Sequence, residues 1–273
     1  YNLTSLQLPY GLETLGGWAF SGCFNFSGEL SLPESVINLG QSCFYGCYGF
    51  TGNLVIPNAI TIIPDQCFRD CRGLIGNLEI PNGVSSIGNY AFAGCGFNGT
   101  LTLPNSITTI YEGAFGGCNF QGELNLPINI KCIPTYCFTS TAFSSIPKFP
   151  DGLLEIGTDA FSYCWRLSGV LEFPESLVSI KNNAFASCPT LEGIVLPKEL
   201  VAISDGAFID CFGINKIVCN AEEPPIIQPS VFYGIAKDNF TVEVPEQSVN
   251  RYQSDPNWAE FKRIGAYHDF SIS

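Results

Sequence analysis

Residues 78–95 read LEIPNGVSSIGNYAFAGC, and variants of this stretch recur along most of the chain. A proline ends the short apolar segment of each copy, at Pro9, Pro33, Pro57, Pro81, Pro104, Pro127, Pro150, Pro174 and Pro197. Successive prolines are 23 or 24 residues apart, and a phenylalanine follows each proline by 11 residues, from Phe20 to Phe208. Nine matches at one offset identify an internal repeat of the length found in solenoids.

Apolar residues occupy constant positions within each repeat. One unit reads G-x-L-x-L-P-x-x-(V/I/L)-x-x-I-G-x-x-A-F-x-x-C. The alternation in L-x-L predicts a strand with one apolar side facing inward. We expect the (V/I/L)-x-x-I segment to be extended or turning, and A-F-x-x-C to form a short helical turn. Because a single unit cannot bury its apolar side and a stack can, we predict a repeat solenoid. It should be mostly β with short helical turns, and one parallel sheet should run along one face.

The repeat degrades beyond Pro197. Asn220 stands where the next proline is expected, and Phe232 takes the place of the repeat phenylalanine. Trp258 and Phe261 then follow in a stretch with helical spacing. Since the last rung of a solenoid would leave its apolar edge in water, a cap is needed there. We predict a solenoid of nine rungs over residues 1–219, then a degenerate last rung with a C-terminal cap over residues 220–273.

The 13 cysteines follow the repeat. Eight lie three residues after the repeat phenylalanine, and three more occupy the alanine position just before it. Cysteine at such positions behaves as a small buried hydrophobic residue. A spacing of 23 or 24 residues produces a line of thiols rather than a tetrahedral metal site. We therefore predict no metal site and free buried thiols, with Cys132 as the exception that reacts first. Free thiols in a secreted protein fit an anaerobic organism.

Charge and hydropathy limit the partners. The chain has 12 basic and 25 acidic residues and a net charge of −13, whereas binding to a phosphate backbone depends on clustered Lys and Arg. No apolar run approaches the roughly 18 residues of a membrane-spanning helix. We therefore predict no nucleic-acid partner and no membrane span. The sequence contains no cofactor motif, so we predict no cofactor. We expect a monomer. The one histidine, His268, is expected to be a surface residue of the tail.

The repeat unit resembles the leucine-rich repeat of the BspA-like surface proteins, and residues 78–95 are close to its consensus. The resemblance covers about residues 1–219, and the tail is similar to the ending of such proteins from anaerobic gut and oral bacteria. It implies a leucine-rich repeat solenoid at the cell surface or outside the cell. It also implies non-catalytic binding, including adhesion to host matrix proteins or to other cells. The family has no consensus binding residue to carry over to this chain.

The repeat at residues 128–150 departs from the pattern. Thr141 replaces the cysteine, and Pro147 occupies an inward strand position. We expect a kink or a widened rung there.

The outward residues of the strand segment form the predicted binding surface. They lie two and four residues before each proline, and they vary along the chain while the inward residues do not. On a solenoid such columns line one continuous sheet face, the usual partner surface of these folds. The candidate binding residues are Glu29, Asn53, Asn77, Glu79, Thr100, Thr102, Glu123 and Asn125.

Two other functions remain open from the residues. One is a glycan-capture protein of a surface polysaccharide system, for which Tyr163 and Trp165 could form a sugar platform, although we expect them to pack at a rung edge. The other is a β-helix enzyme that cleaves polysaccharides. Its candidate carboxylates would be Glu29, Glu79, Glu123 and Glu172. These lie two or more rungs apart or in different columns, roughly 10 Å or more at the ~4.8 Å strand spacing. The pairs Asp65/Asp70 and Asp205/Asp210 are expected to be turn residues or loop caps. We therefore predict that the chain is not an enzyme.

Overall fold

Each repeat contributes two short strands, and each strand pairs in parallel with the equivalent segment of a neighbouring rung. The computed structural model describes residues 4–237 and 240–266. The L-x-L segments form the first ladder, with strands Gly28–Glu29, Phe50–Thr51, Leu78–Glu79, Leu101–Thr102, Leu124–Asn125, Gly169–Glu172, Leu191–Leu196, Lys216–Cys219, Thr241–Val244 and Arg263–Ala266. The second ladder consists of Thr14–Leu15, Asn38–Leu39, Ile62–Ile63, Ser86–Ile87, Thr109–Ile110, Cys132–Ile133, Glu155–Ile156, Ser179–Ile180, Ala202–Ile203 and Ile226–Ile227.

The predicted fold class, a parallel-sheet solenoid with little helix, is confirmed. The structure adds the second ladder to the single sheet that the L-x-L pattern predicts. In this ladder only the second residue of each pair faces the core: Ile63 is buried, whereas Ile62 is exposed. Segments that repeat in register on successive rungs place their backbone groups opposite one another, so even a two-residue stretch can pair.

The A-F-x-x-C segment, predicted as a short helical turn, is a run of tight turns closed by bonds such as that from the Cys95 N–H to the Phe92 carbonyl at 3.1 Å. Tyr90 and Gly94 have positive φ values of 53° and 69°, which a right-handed helix does not accommodate. Every second backbone N–H group of this segment donates a hydrogen bond to a carbonyl of the next rung. The N–H of every repeat phenylalanine from Phe20 to Phe208 donates to the carbonyl of the residue before the next repeat phenylalanine, at 2.7–3.0 Å. These bonds continue where both strand ladders are interrupted.

The repeat phenylalanines stack in a single column through the core. Phe92 lies between Phe68 and Phe115, with ring centroids 5.5 and 5.6 Å away and the rings within 9° of parallel. The column continues to Phe232, which lies 5.6 Å from Phe208. Because each ring is covered by the rings above and below, a fixed phenylalanine position is what a stack of rungs requires.

The cysteines form a second column that is bonded to the first. The Cys95 thiol donates to the carbonyl of Phe68 at 3.0 Å, and the Cys118 thiol donates to that of Phe92 at 3.0 Å. All 13 cysteines are free, and 11 of them are buried; Cys23 is half-buried and Cys132 is exposed. Burial raises the pKa of Cys47 to about 12, so its thiol stays protonated at neutral pH. The predicted burial of the repeat cysteines is confirmed.

The rung that contains Thr141 and Pro147, where the sequence predicts a kink or a widened rung, differs from its neighbours in hydrogen bonding and strand pairing. The hydroxyl of Thr141 donates to its own rung's Phe138 carbonyl at 2.8 Å, replacing the usual thiol bond. Proline has no N–H to give to a ladder. Within the described residues, the first ladder accordingly has no strand between Leu124–Asn125 and Gly169–Glu172, where the only parallel pairing is the bridge between Ser145 and Ser168.

The C-terminal residues extend the stack and then cover its end. Thr241–Val244 and Arg263–Ala266 pair in parallel as the last two strands of the first ladder. Between them lie the 3₁₀ helices Glu246–Ser248 and Trp258–Glu260 and the α-helix Val249–Ser254. The buried Trp258 donates its indole N–H to the Pro225 carbonyl at 2.8 Å. We propose that residues 220–273 form a degenerate last rung and a cap for the solenoid of residues 1–219.

Candidate functional site

The eight predicted binding residues lie on one face of the first ladder. We call this the strand face, defined by the outward residues two and four positions before each repeat proline. Seven of the eight are exposed, and Thr100 is half-buried. Parallel pairing places Glu79, Thr102 and Asn125 side by side on three successive rungs. Glu29 and Asn53 continue the face toward the N-terminus.

Some of these side chains are already held from rung to rung. The Asn77 carbonyl oxygen accepts a hydrogen bond from the Thr100 backbone N–H at 3.2 Å, and Asn125 donates to the Thr102 hydroxyl at 3.2 Å. This arrangement also explains the glycine of the repeat. A Cβ on Gly99 would lie 1.9 Å from the Asn77 Oδ1 atom, so glycine leaves room for the side chain of the preceding rung.

Three shallow clefts lie along the strand face. The first, of about 420 Å³, is lined by Asn77, Glu79, Thr100 and Thr102. The other two occupy about 310 and 400 Å³ on either side of Lys148, where the first ladder is interrupted. Lys148 is exposed and lines both of these clefts. Lys148 was not among the predicted binding residues, although the neighbouring Pro147 marked this rung as irregular.

The carboxylates considered for catalysis do not form acidic pairs in the described residues. Glu79 lies opposite Thr102, and Glu172 lies opposite Val195. Asp65 accepts hydrogen bonds from the backbone N–H of Asn89 at 2.7 Å and from its side chain, as expected of a loop cap. No group of three His, Cys, Asp or Glu side chains could hold a metal ion within residues 4–237 and 240–266. His268 lies outside the described residues.

Tyr163 and Trp165 differ from the expected packing at a rung edge. They are 57% and 59% exposed, so they project from the turn segment into solvent. The guanidinium carbon of Arg166 lies 5.6 Å from the Trp165 ring centroid. The hydrophobic column at this level is already filled by the buried Phe161 and Cys164, which leaves no core space for the two larger rings.

In the part of the chain that the structure describes, no helix is long and apolar enough to cross a membrane.

Comparison with known proteins matches the repeats to one family model. The model is described as a BspA type leucine rich repeat region, and it matches in six copies over residues 1–121, 49–168 and 154–253. None of the curated proteins compared matches the sequence. A leucine-rich repeat protein from Bacteroides ovatus is 24% identical with a TM-score of 0.63, covering 93% of this chain and 67% of that one. This likeness supports the solenoid fold.

Two further solved structures are more distant. A leucine rich cell surface protein from Faecalibacterium prausnitzii is 18% identical, with 95% of this chain and 84% of that one covered and a TM-score of 0.45. The pneumococcal vaccine antigen PcpA is 14% identical, with coverages of 94% and 85% and a TM-score of 0.34.

Proposed function

The chain belongs to the BspA type leucine-rich repeat family, and on this basis we propose that it is a non-catalytic adhesion protein of the cell surface or the extracellular medium. Membership of this family supports a binding role for the repeats. The proposed partners are host matrix proteins or proteins on other cells. The proposed contact surface is the strand face.

The shape of the strand face carries this proposal. Its outward side chains form rows across successive rungs, and three shallow clefts lie along those rows. An extended surface with several shallow depressions suits contact with a macromolecule better than enclosure of a small molecule. The hydrogen bonds between Asn77 and Thr100 and between Asn125 and Thr102 fix side chains before binding, which lowers the entropy lost on association.

Charge favours a partner with basic groups. Glu29, Glu79 and Glu123 all lie exposed on the strand face, in a chain with a net charge of −13. Complementary charges across an interface raise the association rate and reject like-charged partners. A basic patch on a protein therefore fits this face, whereas nucleic acid would be repelled. We expect the chain to bind as a monomer.

Exchanging four residues of the strand face should weaken partner binding at least tenfold, or about 1.4 kcal/mol. The variant combines Glu79→Lys, Thr102→Ala, Glu123→Lys and Asn125→Ala, which reverses two charges and removes two polar contacts. An array of matrix proteins, cell-surface proteins and polysaccharides identifies the partner of the unaltered chain, and surface plasmon resonance then compares the two proteins.

A control variant makes the same types of change away from the strand face. It combines Glu13→Lys, Thr61→Ala, Thr109→Ala and Glu199→Lys, all at exposed positions on or beside the second ladder. Both variants should keep the melting temperature of the unaltered chain, and the control should keep its affinity. Full affinity of the strand-face variant would contradict the proposed surface. Turnover of any arrayed polysaccharide would contradict the non-catalytic function.

A further inference from the structure

A trough lies on a different side of the solenoid from the strand face. We call this side the turn face, formed by the outward residues of the A-F-x-x-C segments. The trough has a volume of about 320 Å³. Arg69 and Asp70 line one end, Tyr136 and Thr139 line the other, and Tyr90 lies between. None of these residues belongs to the strand face.

The trough exists because two successive rungs carry small side chains. The position after the repeat phenylalanine holds Arg69 in one rung and Thr139 three rungs later, but Ala93 and Gly116 in the two rungs between them. The position two residues before the phenylalanine holds Gly113 between two tyrosines, and the Tyr90 ring lies over this glycine, where a Cβ would be 2.2 Å from the ring. At the usual strand spacing of ~4.8 Å, the two ends of the trough are about 14 Å apart. This length accommodates one or two linked rings.

The walls of the trough are held in place by contacts among their own side chains. The Arg69 guanidinium lies over the Tyr90 ring at 5.0 Å and pairs with Asp70 at 3.8 Å. The Tyr90 hydroxyl donates a hydrogen bond to the Glu112 carboxylate. At the other end, the Thr139 hydroxyl bonds to the Ser162 carbonyl at 3.2 Å. A ligand would therefore meet groups that need little ordering on binding.

The groups along the trough differ in what they can offer a ligand. Arg69 can only donate hydrogen bonds and Asp70 can only accept them. The Thr139 hydroxyl directs its hydrogen to the Ser162 carbonyl and keeps a lone pair that can accept one. Tyr136 is partly exposed and presents an apolar ring with a polar tip. Hydroxyl groups on a ring with an apolar C–H face complement this set, because each hydroxyl both donates and accepts.

The charge of the site selects among saccharides. Arg69 and Arg72 are balanced locally by Asp70 and Glu112, and the chain as a whole has a net charge of −13. A sulfated or uronic-acid polymer would be repelled by this field. We propose that the trough between Arg69 and Thr139 is a second binding site, which takes a segment of one or two residues of a neutral polysaccharide.

Filling the trough tests this site. Ala93→Gln places a longer side chain on its floor, at a repeat position where other rungs already carry Arg69 or Ile209. Ala186→Gln is the matched control, because Ala186 occupies the same repeat position in another rung and is 6% exposed, against 9% for Ala93. Native electrophoresis through gels containing a β-glucan, a mannan, a xylan or a galactan measures binding as retardation. Gels that contain heparin or polygalacturonate test acidic polysaccharides as ligands. Titration with an aromatic peptide tests a peptide ligand.

At least one neutral polysaccharide should retard the unaltered protein. The Ala93→Gln substitution should raise the dissociation constant for that polysaccharide at least tenfold. Ala186→Gln and the strand-face variant should bind as the unaltered protein does, which separates this site from the proposed adhesion surface. Three results would each overturn the proposal: no retardation by any neutral polysaccharide, unchanged retardation of Ala93→Gln, or binding of only the acidic polymers or the peptide.

Discussion

Replacing Phe92 by alanine should lower the free energy of unfolding by about 3–5 kcal/mol, the usual cost of removing a buried phenylalanine. The Phe92 side chain is fully buried and stacks between Phe68 and Phe115. Phe97 packs against its edge with ring centroids 6.1 Å apart. Rungs on both sides are tied together by backbone bonds, so the cavity that remains cannot close easily.

Urea unfolding followed by circular dichroism measures this loss. Phe24→Ala is the matched control, because Phe24 is a phenylalanine of the same chain that lies exposed in a turn segment. Its removal should change the free energy of unfolding by no more than about 0.5 kcal/mol, as is usual for surface positions. A loss below about 1 kcal/mol for Phe92→Ala would show that the phenylalanine column does not form the core.

Replacing Trp258 by alanine should also destabilise the chain by about 3–5 kcal/mol. Trp258 is fully buried at the C-terminal end, where it packs edge-on against Tyr252 at 5.2 Å and bonds to the Pro225 carbonyl. Removing it opens the contact between the helical segment after Val244 and the degenerate last rung, which contains Pro225 and Phe232. Because the rungs of a solenoid depend on their neighbours, this loss should spread from the end of the stack.

Trp165→Ala is the matched control for the cap, since Trp165 is the same residue type in an exposed position. Thermal unfolding should show a lower melting temperature for Trp258→Ala and little change for Trp165→Ala. Equal melting temperatures for the two variants would contradict the assignment of residues 220–273 as a cap.

The positions of the core residues could be predicted because each one repeats at a fixed offset. Phe92 and Cys95 each have counterparts in nearly every rung, and a regular stack is the arrangement that buries them both. The second ladder could not be predicted in the same way. Its strands are two residues long, too short to show an alternating pattern, and their pairing depends on the register set by the neighbouring rungs.

The turn segments show a different limit of sequence reasoning. Tyr90, Tyr136 and Asp159 adopt positive φ values of 52–55°, a conformation uncommon for residues other than glycine. Bonds to the neighbouring rungs compensate for it, and those bonds exist only in the assembled stack. Local sequence therefore favoured a helical turn where the tertiary structure imposes a run of tight turns.

The strand face could be predicted from the sequence, whereas the trough of the turn face could not. The strand face follows from alternation along each L-x-L segment, so Glu79 and Thr102 could be placed on it directly. The trough arises from missing side chains at Ala93 and Gly116, which are separated by a full repeat. Its signal was present in the sequence, as small residues in two successive rungs at a position where the flanking rungs hold Arg69 and Thr139. A lack of side chains does not resemble a motif, so the trough was not predicted.

Nearly every rung contributes a cysteine to the continuous core, so the reactivity of each thiol reports whether its rung is packed. At neutral pH, a polar thiol reagent should reach Cys132 first and Cys23 more slowly, while the 11 buried cysteines stay unmodified. The reaction of Cys132 should itself be slow, because partial burial and the nearby Glu155 carboxylate raise its pKa to about 11 and the thiolate is the reactive form.

Mass spectrometry of the labelled protein, with and without denaturant, tests this core directly. One modified thiol in the folded protein, a second appearing slowly and all 13 in denaturant would support a single stack of reduced, buried cysteines. Crosslinks among Cys23, Cys47, Cys71 and Cys95, or uniform labelling of the folded protein, would contradict it.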